Sequence, residues 1–305
     1  MRYTVTGAAG FIGSHLAESL QAQGHDVVGV DCFTDYYDPA LKEENAAGLD
    51  VLRLDLADED LPLDGVDGVF HLAGQPGVRS FGDVFDEYVR RNLVATRRVL
   101  EAAARAGVRV VFASSSSVYG EAESYPTPEE TEPNPISPYG ITKAGCEQLA
   151  RAYARAFGLD VVVLRYFTFY GPRQRPDMAF TRIVNALARG GVFELYGDGL
   201  QSRAFTYVAD GVEATIAAID RAPDGAVYNV GGGAEATMRD AIAALERISG
   251  RTLELVERPA AKGDVRRTAP DTSRIERELG WRATTELEDG LRAQWEWAST
   301  RVATP

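Results

Sequence analysis

Short, nearly continuous apolar runs recur along the first two-thirds of the chain, and between most of them lie longer stretches whose apolar residues return every three or four positions. The short runs suit strands buried on both faces, and the longer stretches suit helices that pack one apolar face over such strands. The pattern predicts strands over residues 2–6, 26–30, 51–54, 68–71, 109–113 and 160–165, with helices over 11–23, 83–106 and 139–157. Strand and helix in alternation predict an α/β fold, a doubly wound parallel sheet covered on both sides. Beyond Gly171 the order loosens, with punctuation at Gly171-Pro172, Gly197, Gly199, Gly231 to Gly233 and Pro259. Residues 1–170 are therefore expected to form the sheet domain, with later segments returning to it, and residues 171–305 mainly a smaller α/β lobe. The Pro- and Glu-rich segment 121–138 reads as a surface loop.

A chain of 305 residues that is 45% hydrophobic can bury a large core. Its longest apolar runs fall far short of the ~20 residues a membrane helix needs. Strand-like residues begin by Tyr3, so no signal peptide is expected and the expected compartment is the cytoplasm. Cys32 and Cys146 stand alone, outside any C-x-x-C or His-rich cluster, and no metal site is expected. A net charge of −13 opposes binding to a nucleic-acid backbone, although a local group of Arg can still hold a small phosphorylated ligand.

Candidate chemistry begins at Thr6-Gly7-Ala8-Ala9-Gly10-Phe11-Ile12-Gly13, which follows the first predicted strand and opens the first helix. Gly7, Gly10 and Gly13 let the backbone turn sharply and approach a pyrophosphate, to which the helix start offers N–H groups. This is the context of a Rossmann-type dinucleotide site. Asp31 ends the second strand at the distance expected for a ribose-hydroxyl contact, and its charge repels a 2′-phosphate, so NAD is expected over NADP. The other reading of Asp31 is a cap after a strand. Asp55 and Leu56, after the third strand, reach either the adenine edge or solvent.

Tyr139 and Lys143 in Ser137-Pro138-Tyr139-Gly140-Ile141-Thr142-Lys143 are four residues apart, one turn along one helix face. An ammonium so placed can stabilise a phenolate and allow a Tyr to act as a base. The run Ser114-Ser115-Ser116-Ser117-Val118-Tyr119-Gly120 follows the fifth strand, and open α/β sheets carry their ligands at strand C-terminal ends. A hydroxyl there can bond a substrate oxygen; the alternative is a polar turn.

These motifs, with His71-Leu72-Ala73, Asn92, Arg165-Tyr166-Phe167, Tyr170-Gly171-Pro172 and Gly197-Asp198-Gly199, resemble the extended short-chain dehydrogenase/reductases. The similarity spans essentially the whole chain, and within that family it is to the NAD-dependent sugar-nucleotide epimerase/dehydratase group. It places the catalytic hydroxyl on Ser115, with Ser116 and Ser117 as adjacent alternatives. It implies that Tyr139 takes the proton of the sugar 4-hydroxyl while hydride passes from C4 to NAD, leaving a 4-keto sugar. Dehydratases of this group carry Asp-Glu, and nucleotide-glucuronate decarboxylases a Glu, where this chain has Ser116-Ser117. Lacking that extra acid/base, the chain is expected to return the hydride after the keto sugar turns its other face, which is 4-epimerisation.

The segment Thr168-Phe169-Tyr170-Gly171-Pro172-Arg173-Gln174-Arg175-Pro176-Asp177-Met178 resembles the UDP-glucuronate 4-epimerases, in which the positions of Thr168 and Arg175 lie beside the sugar carboxylate. A guanidinium suits a carboxylate by paired, charge-assisted hydrogen bonds, and Thr leaves room for it. Arg175 reads otherwise as a solvent-exposed loop residue or a diphosphate contact. Arg79, Arg203 and Arg266 match the family's UDP contacts or are surface residues. Two departures stand out: Arg203-Ala204-Phe205 replaces Arg-Asp-Phe, and Asn92-Leu93-Val94-Ala95-Thr96 puts a methyl where the family has Gly. The expected reaction is UDP-glucuronate to UDP-galacturonate. UDP-glucose/UDP-galactose 4-epimerisation is the alternative, and a non-catalytic NAD-binding scaffold a remote one. The family also implies a homodimer formed through the helices at 83–106 and 139–157.

Overall fold

The computed structural model describes residues 1–77, 82–233, 235–260 and 265–302. In chain order the strands of the first half are β1 (Arg2–Thr6), β2 (Asp26–Asp31), β3 (Asp50–Arg53), β4 (Gly68–His71), β5 (Arg109–Ser115) and β6 (Val161–Tyr166). There follow β7 (Thr168–Tyr170), β8 (Val192–Tyr196), β9 (Ser202–Tyr207), β10 (Val227–Val230), β11 (Glu235–Thr237), β12 (Glu254–Arg258) and β13 (Arg267–Thr268). The helices are α1 (Phe11–Ala22), α2 (Pro39–Asn45), α3 (Phe85–Tyr88), α4 (Ala95–Ala106), α5 (Pro138–Phe157), α6 (Ala179–Arg189), α7 (Val208–Arg221), α8 (Met238–Ser249), α9 (Ser273–Leu279) and α10 (Leu287–Val302).

Seven strands pair in parallel in the order β10-β6-β5-β4-β1-β2-β3. The predicted doubly wound Rossmann-type sheet is thus the fold. Side chains of successive strand residues point to opposite faces, and each face has its own core. Val5, Phe70, Val162 and Leu164 pack with Leu16 of α1 and Ala218 of α7. Val69, Val110, Phe112 and Val163 pack with Val99 of α4 and Ala150 of α5. The direction of winding reverses between β1 and β4, which opens a crevice at their C-terminal ends.

Two features depart from the sequence pattern, and a third, β10, is a later segment that returns to the main sheet as expected. The helix predicted over 83–106 is interrupted: a π-helical turn at Val89–Val94 separates α3 from α4. Hydrophobic periodicity does not register one inserted residue of this kind, and such turns gather at functional sites. β10 supplies the seventh strand of the main sheet from beyond residue 170. β7 lies before residue 171 yet pairs with β9, in a smaller sheet completed by β11 and β13. β8 and β12 form a parallel pair, and α6, α8 and α10 cover a third core that includes Tyr170, Phe180, Ile183, Leu245 and Leu291. No helix among the described residues is long and apolar enough to cross a membrane.

Candidate active site

α1 starts at the turn of Gly7. That residue sits at φ +73°, and a Cβ there would meet the Ala73 backbone nitrogen at 2.9 Å, so only glycine allows the loop to lie against the end of β4. A Cβ on Gly13 would stand 2.0 Å from the Gly7 carbonyl oxygen, which fixes the crossing of loop and helix. No side chain caps this helix start and no acidic residue occupies its first turn, so its N–H groups and the positive end of its dipole are available to an anion. Gly7, Gly10, Phe11, Ile12 and Gly13 line a cleft of about 280 Å³ together with Asp31, Asp55 and Leu56.

The Asp31 carboxylate accepts from the backbone N–H of Ala9 at 3.1 Å and of Phe33 at 2.8 Å. Burial raises its pKa, and these N–H groups with Lys42 oppose the rise. Asp55 accepts from Arg90 at 2.8 Å and from the Ala57 N–H at 3.0 Å. Partial burial pushes its carboxyl up, but those donors outweigh it and hold the pKa below the ordinary value. Its carboxylate is thus tied down at the cleft wall.

At the far end of the cleft, Ser137 caps α5 by accepting from the Gly140 N–H at 3.1 Å, and Pro138 opens the helix. A Cβ on Gly140 would stand 2.4 Å from the Ser117 carbonyl oxygen, so this glycine seats the first turn of α5 against the turn that follows β5, and Tyr139 and Ser115 line the same two clefts. Lys143 is buried; its Nζ donates to the Ala113 carbonyl at 2.9 Å and lies 6.0 Å from the centroid of the Tyr139 ring. Asn92, in the π-helical turn, accepts from the Gln75 N–H at 2.7 Å and donates to the Thr142 hydroxyl at 3.0 Å, which ties that turn to α5. The four serines divide. Ser114 donates to Glu147 at 2.6 Å, and Glu147 forms a buried pair with Arg165 at 2.8 Å. Ser116 and Ser117 line a second cleft, and Ser115 lines both.

The second cleft, of about 540 Å³, continues from the first. Ser115, Tyr139 and Arg175 belong to both. Thr168 and Arg203 line the second, where Arg203 also donates to the Val265 carbonyl at 2.7 Å. The turn carrying Arg175 is pinned to α1 by the His15 contact to the Pro172 carbonyl at 3.0 Å and by Arg173 to Glu18 at 2.8 Å. Arg266 is brought to neither cleft: its side chain is 60% exposed and its fork closes on Asp198 at 2.7 and 2.9 Å. Arg79 lies outside the described residues. Both family departures are accommodated, since Ala95 lines the first cleft from just after the π-helical turn and Ala204 is buried in β9. Asn92 belongs to the family motif, but only its bonds to Gln75 and Thr142 show its place beside the site. Tyr36, Lys42 and Asp177 line the clefts without a motif of their own, and Asp177's one sequence signal is its place two residues from Arg175.

A Rossmann-type sheet with a glycine-loop cleft that meets a second cleft, lined by Arg175 and Arg203, at a Tyr/Lys helix defines a dinucleotide-dependent enzyme class. The NAD dependent epimerase/dehydratase family matches residues 3–231, and the chain belongs to it. The chain is 41% identical over 304 residues to a Bacillus subtilis protein named uncharacterized UDP-glucose epimerase YtcB, covering 95% of this chain and 96% of that one. It is 35% identical over 315 residues to the UDP-glucuronate 4-epimerase of Thermodesulfobacterium geofontis, covering 98% and 97%. Among solved structures, the UDP-glucuronic acid 4-epimerase of Bacillus cereus, in complex with UDP-glucuronic acid and NAD, superposes with a TM-score of 0.95 at 38% identity, covering 99% of this chain and 100% of that one.

Proposed function

We propose that this chain is an NAD-dependent UDP-sugar 4-epimerase that interconverts UDP-glucuronate and UDP-galacturonate. The observation that carries the reading is that Ser115, Tyr139 and Arg175 line both clefts, so a base and a guanidinium fork stand where the two ligands meet. The similarity to the Bacillus cereus enzyme supports the same substrate. The glycine loop and Asp31 fit NAD, because a Cβ at Gly7 or Gly13 would fill the cradle and Asp31 presents a carboxylate, not a cation, at the cleft. Gly10, Phe11 and Ile12 hold the pyrophosphate, Asp31 the ribose, and Asp55 with Leu56 the adenine side. When bound, NAD supplies a reversible hydride acceptor for C4 of the sugar.

Tyr139 takes the 4-hydroxyl proton and later returns it, while the Ser115 hydroxyl bonds the same oxygen. Lys143, with one of its donors on the Ala113 carbonyl, holds positive charge near the phenol as the proton leaves. Arg175 and Thr168 receive the sugar carboxylate, and Arg203 the diphosphate; Arg79 is a second diphosphate candidate, and Arg266 reaches that group only by leaving Asp198. Oxidation at C4 makes a β-keto acid, which loses CO₂ when its C5–C6 bond aligns with the carbonyl, so a fixed carboxylate orientation protects it. In this reading residues 1–170 with β10 carry the cofactor and residues 171–305 mainly the sugar nucleotide. The chain works in the cytoplasm as a homodimer, for which the exposed Phe85, Ile141 and Phe157 on the 83–106 and 139–157 stretches speak.

The test is turnover of UDP-glucuronate and UDP-glucose by the purified protein, with product stereochemistry read by NMR. UDP-galacturonate should form without net NADH. NADH rising in step with product would make the protein a dehydrogenase instead. Preference for UDP-glucose would establish the second reading, which the name of the Bacillus subtilis relative favours.

A further inference from the structure

Arg175 already has a carboxylate partner within this chain. Its Nε and Nη2 donate to the two carboxylate oxygens of Asp177, each at 3.0 Å, in the paired geometry a guanidinium uses on any carboxylate. The Tyr36 phenol, from the loop after β2, donates to Asp177 Oδ2 at 3.3 Å. The Arg175 side chain is 23% exposed and that of Asp177 39%, and all three residues line the second cleft.

We propose that Asp177 is a specificity-determining residue, an internal carboxylate that keeps Arg175 paired when the sugar's C6 is neutral and competes for it when C6 carries a carboxylate. This rests on the reading that Arg175 faces C6. A guanidinium that is partly removed from water and left without an anion is costly, so in the absence of Asp177 a neutral 6-hydroxyl would face an unsatisfied charge. With Asp177 in place that cost disappears. A uronate, by contrast, brings a second anion to a cation that already holds one, and the two carboxylates repel. Asp177 therefore narrows the gap between UDP-glucuronate and UDP-glucose from both sides, and Tyr36 holds the competing carboxylate where it can do so.

The experiment measures kcat and KM for both sugars with the unsubstituted protein, Asp177→Asn, Asp177→Ala, Arg175→Ala, and Arg175→Ala combined with Asp177→Asn. Asp177→Asn should raise the ratio of kcat/KM, glucuronate over glucose, by roughly tenfold or more. The change should come through a lower KM for UDP-glucuronate and a higher one for UDP-glucose, with kcat little altered, because the base is untouched. Asp177→Ala must shift the ratio the same way. In the Arg175→Ala protein, Asp177→Asn should no longer raise KM for UDP-glucose, since no guanidinium is left to go unpaired. A ratio that stays constant or falls, or a loss shared alike by both sugars, overturns the proposal. If the unsubstituted protein turns over UDP-glucose and not UDP-glucuronate, the function reading itself fails; if it turns over UDP-glucuronate and Asp177→Asn leaves the ratio unmoved, the role of Asp177 alone fails.

Discussion

Lys143 Nζ donates to the main-chain carbonyl of Ala113 at 2.9 Å, so a charged side chain of α5 is fastened to the C-terminal end of β5. One turn further along α5, Glu147 accepts from Ser114 of β5 and from Arg165 of β6. These two buried anchors hold α5, and with it Tyr139, against β5 and β6. The proposed proton transfer at Tyr139 would depend on orientation, and a helix held at two points to two adjacent strands would supply it.

Replacing Tyr139 by Phe keeps the ring and its packing against Tyr88, whose centroid is 6.3 Å away, while deleting the phenol. Binding of the sugar nucleotide should persist, measured by calorimetry, and turnover should drop by ~10²–10⁴-fold, the scale of a lost general acid/base. Near-normal turnover would remove Tyr139 from the proton-transfer role.

Arg175→Ala should cost UDP-glucuronate ~2–5 kcal/mol in kcat/KM, by comparison with other truncated charge pairs, and UDP-glucose much less. With the carboxylate no longer held, some UDP-pentose should appear as the β-keto acid loses CO₂. An equal loss for both sugars would mean that Arg175 does not face C6.

The Asp31 carboxylate, which lines the first cleft, should repel the extra phosphate of NADP if it faces the ribose. Calorimetry on cofactor-free protein is expected to show NAD binding ~10²-fold or more tightly than NADP, with Asp31→Ser narrowing the difference. Equal affinities in the unsubstituted protein would take Asp31 out of the ribose site.

His71 is fully buried between the Thr6 and Thr96 hydroxyls, at 2.8 and 3.0 Å. Burial, aided by the charge of Lys143, lowers its pKa from 6.5 to about 3. An unfolded chain binds this proton below pH 6.5 while the folded one does not, so the contribution is fully present above that pH and is lost as pH falls toward 3. Urea unfolding of the protein should show stability declining by up to ~1.4 kcal/mol per pH unit from this group alone. Between pH 6.5 and 5, before carboxylates dominate, His71→Gln should flatten the decline; an unchanged slope would contradict the assignment.

Local signals in the chain were enough for the six strands and for the helices that carry Gly13 and Tyr139. Parallel strands buried on both faces show as apolar runs, and glycines, Ser137 and Pro138 act on their immediate neighbours. The Tyr139/Lys143 spacing likewise needs only the helix period. Relations between residues distant in sequence required the fold. Periodicity cannot show that β10 closes the main sheet beside β6, because strand pairing is settled by which faces remain to be covered once the helices have packed. Nor could it assign the arginines, whose long side chains reach many partners: the fold turns Arg203 toward the second cleft, sends Arg266 to Asp198, and closes Arg175 on Asp177. The four consecutive serines were alike as a string and were separated by β5 itself, which directs Ser114 to Glu147 and sets Ser115 where the two clefts meet, since neighbouring strand residues face opposite ways.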